Sequence, residues 1–208
     1  MTINEPKEFT HKYLALGDSY TIGESVDESE RFPVQLVSKL RKDNIDIADP
    51  MIIAKTGWTT DELMAVIEER KIINSFNLVT LLIGVNNQYR CREIENYRAE
   101  FKTLLDKAIY FAGNNPKNVL VISIPDWGVT PFAEGKDRVK IAKEIDEFNS
   151  VNKDEAIKSG VNYCDITDIS RKAKDDLTLI ASDGLHPSGK MYSEWVEKFY
   201  SNVKNILK

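Results

Sequence analysis

Short apolar runs alternate with longer amphipathic segments along most of the chain. The runs end at turn residues and lie at 13–16, 51–54, 78–83, 119–124 and 161–165. A run that is apolar at almost every position predicts a strand buried on both faces, which is typical of the interior of a parallel sheet. The last run carries polar residues and predicts an edge strand. Between the runs, apolar residues recur every three or four positions, which predicts amphipathic helices.

The predicted helices begin at residues that favour helix starts. Pro33 suits the first turn of one helix, Thr59 or Thr60 can cap the next, and Ser188 can cap the last. The segments with helical spacing are 32–40, 59–67, 94–108, 138–158 and 188–206. Strand and helix therefore alternate about five times, and each parallel strand pair needs a crossover connection.

This alternation predicts the fold class and the domain organisation. Helices that serve as crossovers cover both faces of the sheet they connect. We therefore predict one three-layer α/β/α domain over residues 1–208, built on a five-stranded parallel sheet, with a polar N-terminal tail at 1–11.

Composition and charge narrow the class of partner. The chain is 42% hydrophobic and 29% charged, and its net charge of −5 comes without a basic cluster. A nucleic-acid surface is not expected, because the phosphate backbone requires clustered positive charge. No signal peptide is recognised, and no run approaches the roughly 18 apolar residues of a membrane span. The distant Cys91 and Cys164 indicate reduced thiols, so we expect a cytoplasmic protein.

Polar residues capable of chemistry follow the predicted strands. Ser19, Gly57 and Asn86 come after the first three strands, and Asp183 and His186 precede the last helix. The carboxyl ends of parallel strands meet at one edge of a sheet, where ligands bind in open α/β folds. These residues are therefore expected to converge.

A serine nucleophile is the reading that this set favours. A serine hydroxyl needs a neighbouring base, and histidine has a suitable pKa for that role. The chain has two histidines, and His11 lies at the opposite end of the first strand from Ser19. His186 is the expected base, and Asp183, three residues earlier, is expected to orient its imidazole. Taken alone, Asp183 and His186 are also compatible with an ordinary turn before a helix.

Acyl transfer also needs hydrogen-bond donors directed at the oxyanion. The backbone N–H groups of Ser19 and Gly57 and the side-chain amide of Asn86 are the candidates. Gly57 and Asn86 are also compatible with ordinary turns between a strand and a helix.

Three other functional motifs do not match the spacing or the residues of this chain. Five residues separate Gly17 from Gly23, and Glu24 stands where a phosphate-binding loop needs lysine. Thr21 replaces the second glycine of the Gly-x-Ser-x-Gly nucleophile elbow. A catalytic zinc site commonly uses two or three histidines, and three are not present.

With these residues the chain resembles the SGNH hydrolases, also called GDSL-type esterases and lipases. The matching motifs are Gly17-Asp18-Ser19-Tyr20, Gly57, Gly84-Val85-Asn86-Asn87 and Asp183-Gly184-Leu185-His186. Tyr20 stands where the family name has leucine, a change that leaves the nucleophile intact. Asn87 stands where the third motif typically has aspartate, a change that bears on loop hydrogen bonds more than on chemistry.

The resemblance implies a flavodoxin-like fold, an acyl-serine mechanism and no cofactor or metal. In that mechanism Ser19, Asp183 and His186 form the triad, and Ser19, Gly57 and Asn86 hold the oxyanion. The family includes esterases, thioesterases, lysophospholipases and carbohydrate deacetylases, so we expect a small-molecule ester substrate, with carbohydrate O-deacetylation as the alternative. A non-catalytic ligand-binding member and a flavodoxin-like nucleotide or flavin binder are further alternatives.

Aromatic residues in loops at the predicted catalytic edge suggest a substrate pocket. They are Trp58, Tyr89, Trp127 and Phe132, and packing in the core or in a lid explains each of them equally well. Asp126 and Thr130, in the same loop as Trp127, are candidates for contacting a polar alcohol group.

Overall fold

A five-stranded parallel sheet forms the centre of the computed structural model, which describes residues 9–72 and 76–208. The strand order is β2-β1-β3-β4-β5, and every pairing is parallel. The strands are β1 (Tyr13–Gly17), β2 (Met51–Ala54), β3 (Leu78–Leu82), β4 (Val119–Ile122) and β5 (Asn162–Cys164). The predicted fold class, with its five-stranded parallel sheet, is confirmed.

Helices cover both faces of this sheet. They are α1 (Ser19–Ile22), α2 (Phe32–Lys42), α3 (Thr60–Arg70), α4 (Val85–Tyr89), α5 (Ile94–Phe111), α6 (Arg138–Lys158), α7 (Thr167–Arg171) and α8 (Gly189–Ile206). Helices α2 and α8 pack together, and α5 packs against both α3 and α6. Among the helices in the described ranges, none combines the length and the apolar character needed to cross a membrane.

The capping residues explain where two of these helices begin. Thr59 caps α3 in a capping box, in which its side chain and that of Glu62 each accept a backbone N–H of the other residue. Ser188 caps α8 by accepting the backbone N–H of Met191. Both starts agree with the sequence-based prediction.

The strand order places a crevice beside β1. The connection from β1 runs to β2 on one side, whereas the next strand along the chain, β3, pairs with β1 on the other side. In this doubly wound order the loops after β1 and β3 diverge at the topological switch point, where ligands bind. All residues of β1 and β3 are buried, so the two strands form a rigid base for those loops.

Several short elements were not predicted from the sequence. Helices α1, α4 and α7 each span only one or two turns, which is too short for a periodic apolar pattern to be recognised. Most of the predicted tail at 1–11 lies outside the described residues. Thr10 and His11, at its end, hydrogen-bond Asp46, and His11 bridges to Ile47.

Candidate active site

Ser19 lies where β1 turns sharply into α1. Asp18 caps this short helix, and its Oδ1 accepts the backbone N–H of Tyr20 at 3.0 Å. Gly17 makes the turn possible, because a Cβ at this position would collide with the backbone carbonyl of Leu82 and the side chain of Thr21. Ser19 is therefore presented at the carboxyl edge of β1, as predicted for a residue following a central strand.

Asp18 is a completely buried carboxyl beside the candidate nucleophile. Burial raises the pKa of Asp18 to about 7, although hydrogen bonds from the Tyr20 backbone and from Asn86 favour the charged form. Near neutral pH, Asp18 therefore exists as a mixture of the carboxylic acid and the carboxylate.

Asp183 and His186 form a short, well-oriented pair. The imidazole Nδ1 of His186 lies 2.6 Å from Oδ2 of Asp183, and Oδ1 accepts the backbone N–H groups of Leu185 and His186 at 2.9 and 3.0 Å. Although burial raises the pKa of Asp183, hydrogen bonds from His186, the Leu185 backbone and Ser25 lower it to about 2. Asp183 therefore remains a carboxylate at neutral pH and leaves Nε2 of His186 available for chemistry.

Ser25 is a further partner of Asp183 that the sequence did not reveal. Its Oγ donates a hydrogen bond of 2.8 Å to Oδ2, the same oxygen that contacts His186. Ser25 has a φ of 64°, in the left-handed region that few side chains adopt. It lies in the loop that follows α1, and therefore connects the Ser19 segment to the Asp183 turn.

We expect the Ser25→Ala variant to raise the pKa of Asp183 towards its ordinary value. The substitution removes a donor that stabilises the carboxylate, and the charged form is thereby disfavoured. Because a depressed folded-state pKa contributes stability above the unfolded value of about 3.9, the variant should lose part of the stability present at neutral pH. NMR titration of the Asp183 carboxyl carbon measures the shift, and the Ser29→Ala variant is a matched control. An unchanged titration would contradict the role assigned to Ser25.

Tyr20 packs against the imidazole of His186. The two ring centroids are 5.1 Å apart, and the rings are tilted by 54°. Both side chains are nearly buried, so Tyr20 limits the rotation of His186 about its side-chain bonds. The tyrosine at this position therefore supports the candidate base.

Asn86 lies in α4, just after the end of β3, and contacts the loops that follow β1 and β2. Its Nδ2 donates to the carbonyl oxygen of Trp58 at 3.0 Å and to Oδ2 of Asp18 at 3.3 Å. Gly57 has a φ of 86°, a conformation that favours glycine, and its carbonyl oxygen accepts Nη2 of Arg90 at 2.6 Å. Arg90 is thus a second contact that sequence reasoning missed.

Asn87 connects α4 to the first residue of α3, Thr60, through both ends of its side-chain amide. Its Oδ1 accepts the backbone N–H of Thr60 at 3.1 Å, and its Nδ2 donates to Oγ1 of Thr60 at 2.6 Å. An aspartate can accept hydrogen bonds at this position but cannot donate one when ionised. Asn87 therefore keeps the hydrogen bond from the Thr60 backbone that an aspartate could also accept. It adds a second bond, in which its own amide is the donor.

A cavity of about 120 Å³ lies between these loops. Its lining consists of Ser19, Tyr20, Val85, Asn86, Tyr89, Trp127, Phe132, Leu185 and His186. Three of the four predicted aromatic residues are among them, whereas Trp58 contributes its carbonyl oxygen to Asn86 and does not line the cavity. Ser19 and His186, which are far apart in sequence, thus face the same space.

Asp126 and Thr130 do not line this cavity, so the structure does not support the prediction that they contact a polar alcohol group. The carboxylate of Asp126 is buried and pairs with Nε of Arg171 at 2.9 Å, and Thr130 is buried and donates to the carbonyl of Trp127. These two residues instead hold the loop that carries Trp127.

The fold resembles solved esterase structures at low sequence identity. TesA is 18% identical with a TM-score of 0.68, covering 94% of this chain and 99% of its own. The lipase/acylhydrolase from Enterococcus faecalis is 21% identical with a TM-score of 0.72, covering 96% of this chain and 98% of its own. The acetylxylan esterase Axe2 from Geobacillus stearothermophilus is 19% identical with a TM-score of 0.73, covering 94% of both chains. These similarities establish the fold.

A sequence comparison identifies the family. The GDSL-like Lipase/Acylhydrolase family matches residues 15–193, a region that contains Ser19, Gly57, Asn86, Asp183 and His186. No curated protein matches the sequence. The match spans most of the chain, and the protein therefore belongs to the GDSL-like lipase/acylhydrolase family and is a carboxylic ester hydrolase.

Proposed function

We propose that the protein hydrolyses small carboxylic esters through an acyl-serine intermediate on Ser19. The observation that carries this proposal is that His186, hydrogen-bonded to Asp183, lines the same cavity as Ser19. Asp183 holds the imidazole by its Nδ1, so Nε2 is the nitrogen that accepts the proton of the serine hydroxyl.

The first half of the reaction forms the acyl-enzyme. Oγ of Ser19 attacks the ester carbonyl carbon while Nε2 of His186 takes the hydroxyl proton, and the carbonyl oxygen becomes an oxyanion. The tetrahedral intermediate then breaks its bond to the alcohol oxygen, and the imidazolium of His186 gives its proton to that oxygen. In the second half, water attacks the acyl group with His186 again as base, and Ser19 recovers its proton.

Three donors are assigned to the oxyanion: the backbone N–H groups of Ser19 and Gly57 and the side-chain amide of Asn86. The amide hydrogens of Asn86 are directed at the carbonyl of Trp58 and, with a longer bond of 3.3 Å, at Asp18. We assign the 3.3 Å bond to Asp18, the longer of the two, as the one that an oxyanion replaces. Protonation of Asp18 removes the competing charge, which favours the exchange.

The size of the cavity favours a short acyl group. An apolar cavity of about 150 Å³ binds benzene, and this cavity of about 120 Å³ is slightly smaller. Its walls are largely apolar and aromatic, with Ser19, Asn86 and His186 as the polar groups. Carbohydrate O-deacetylation is a second candidate, because an acetyl group fits the same space and the structurally similar Axe2 is an acetylxylan esterase.

We expect kcat/KM on p-nitrophenyl esters to be highest for acetate or butyrate and to fall steeply for octanoate and laurate. A long acyl chain would extend beyond the cavity into solvent past the half-exposed Phe132 and Tyr89, and its outer carbons would gain little from burial. Release of acetate from acetylated xylan, measured in parallel, separates general esterase activity from carbohydrate deacetylation. A maximum at laurate would contradict the short-acyl assignment, and failure to hydrolyse any ester would contradict the proposed function itself.

A further inference from the structure

Three aromatic rings form a cluster on one wall of the cavity. Tyr89 lies 5.4 Å from Trp127 and 6.2 Å from Phe132, and Trp127 lies 5.9 Å from Phe132, all measured between ring centroids. Two of the contacts are T-shaped, so the rings do not simply stack on one another. We call these three side chains the aromatic cluster.

One ring of the cluster, Trp127, is buried and fixed by a hydrogen bond, whereas the other two rings are exposed to solvent. Nε1 of Trp127 donates to Oε1 of Gln88 at 2.7 Å, and Nε2 of Gln88 donates to Glu144 at 2.7 Å. Trp127 is only 4% exposed, whereas Tyr89 and Phe132 are 47% and 43% exposed. The cluster therefore presents two exposed rings next to a tryptophan that is fixed by burial and a hydrogen bond.

The ammonium of Lys136 lies at nearly equal distances from all three rings. Its Nζ is 5.8 Å from the centroid of Tyr89, 6.0 Å from Trp127 and 5.9 Å from Phe132. Among the residues that the structure describes, no carboxylate forms an ion pair with it. The faces of aromatic rings attract cations, and the contact weakens near 6 Å. Lys136 is therefore held loosely by its contacts with the three rings.

We propose that the aromatic cluster is a subsite for a cationic group of the substrate, such as a quaternary ammonium, and that Lys136 occupies this subsite in the free enzyme. The proposal rests on the proposed function, because the cluster and Ser19 line one cavity. A quaternary ammonium cannot hydrogen-bond to water and brings apolar methyl groups to the rings, whereas a lysine ammonium is strongly hydrated. The external cation is therefore expected to displace Lys136.

Competition by choline against p-nitrophenyl acetate tests this subsite. The neutral isostere 3,3-dimethylbutanol has the same shape without the charge, and 3,3-dimethylbutyrate provides an anion of similar size. In the wild-type protein choline should inhibit more strongly than either. The same ranking is expected for binding to the Ser19→Ala variant by calorimetry, a readout that does not depend on turnover.

Two substitutions distinguish binding of choline by the aromatic rings from a general effect of removing one positive charge. Lys136→Met removes the internal cation, and we expect the inhibition constant of choline to fall about tenfold while that of the neutral alcohol changes little. Phe132→Leu in the Lys136→Met background keeps apolar volume but removes one ring face. It should abolish most of the tenfold improvement in choline binding. Lys143→Met is the matched control, because this exposed lysine of α6 pairs with Glu147 instead of the cluster.

Other outcomes overturn the proposal. If choline still inhibits the Lys136→Met, Phe132→Leu double variant as strongly as Lys136→Met alone, long-range charge and not the rings governs choline binding. Preference for 3,3-dimethylbutyrate that is lost in Lys136→Met would show that Lys136 binds an anionic substrate group. Normal turnover of p-nitrophenyl acetate without any preference for choline refutes the subsite alone, whereas absent turnover with choline still bound refutes the proposed function alone.

Discussion

The His186→Ala variant is expected to lose about 10⁶-fold in kcat on p-nitrophenyl acetate, the order of loss that removal of the histidine base causes in other serine hydrolases. His186 has the geometry of the base, since its Nδ1 is fixed 2.6 Å from Asp183 and its ring faces the cavity with Ser19. Without it, the serine hydroxyl has no partner to take its proton, and the acyl-enzyme has no base to activate the water that hydrolyses it. Steady-state kinetics measure the loss.

The chain contains its own control for this experiment. His11 is the second histidine, and it bridges to Ile47 at the start of the sheet, far from the carboxyl edge. The His11→Ala variant should therefore retain wild-type kcat. Equal losses in both variants would indicate a general effect on folding, and full activity in His186→Ala would contradict the assigned base.

The Asn86→Ala variant is expected to lower kcat about 10²- to 10³-fold with a smaller effect on KM. The amide is assigned to the oxyanion, whose charge develops only in the transition state, so its loss acts mainly on the chemical step. Kinetics on p-nitrophenyl acetate check this expectation. A rise in KM at constant kcat would instead place Asn86 in ground-state binding.

Asn87→Ala provides the contrasting variant at the next position. Asn87 is 1% exposed and bonds Thr60 twice, so its truncation leaves the backbone N–H and hydroxyl of Thr60 without these partners. Thermal unfolding should show a larger decrease in Tm for Asn87→Ala than for Asn86→Ala, because the side chain of Asn87 is completely buried whereas that of Asn86 lies partly exposed at the cavity. The pair therefore separates a catalytic loss from a structural one within a single turn of helix.

The sheet was predictable because its signals are local. Strands such as β1 and β3 are buried on both faces, so each reads as an uninterrupted apolar run in the sequence. The position of Ser19 followed from the same signal, since a residue after a central strand must lie at the carboxyl edge. Asp183 and His186 were also recognisable, because three residues in one turn bring the carboxylate to the imidazole.

Contacts between distant segments could not be predicted in this way. Ser25 and Asp183 are 158 positions apart, and no local pattern distinguishes Ser25 from other loop serines. The ion pair between the buried Asp126 and the partly exposed Arg171, 45 positions apart, was missed for the same reason. Trp58 was expected in the pocket for its ring, whereas its carbonyl oxygen contacts Asn86.

Covalent labelling shows whether Ser19 is the nucleophile. A fluorophosphonate probe reacts with a serine that a neighbouring base activates. Mass spectrometry of the digested protein should find one probe adduct on the peptide containing Ser19, with labelling abolished in Ser19→Ala and strongly reduced in His186→Ala. An unlabelled wild-type protein, or an adduct on another residue that persists in Ser19→Ala, would contradict the account.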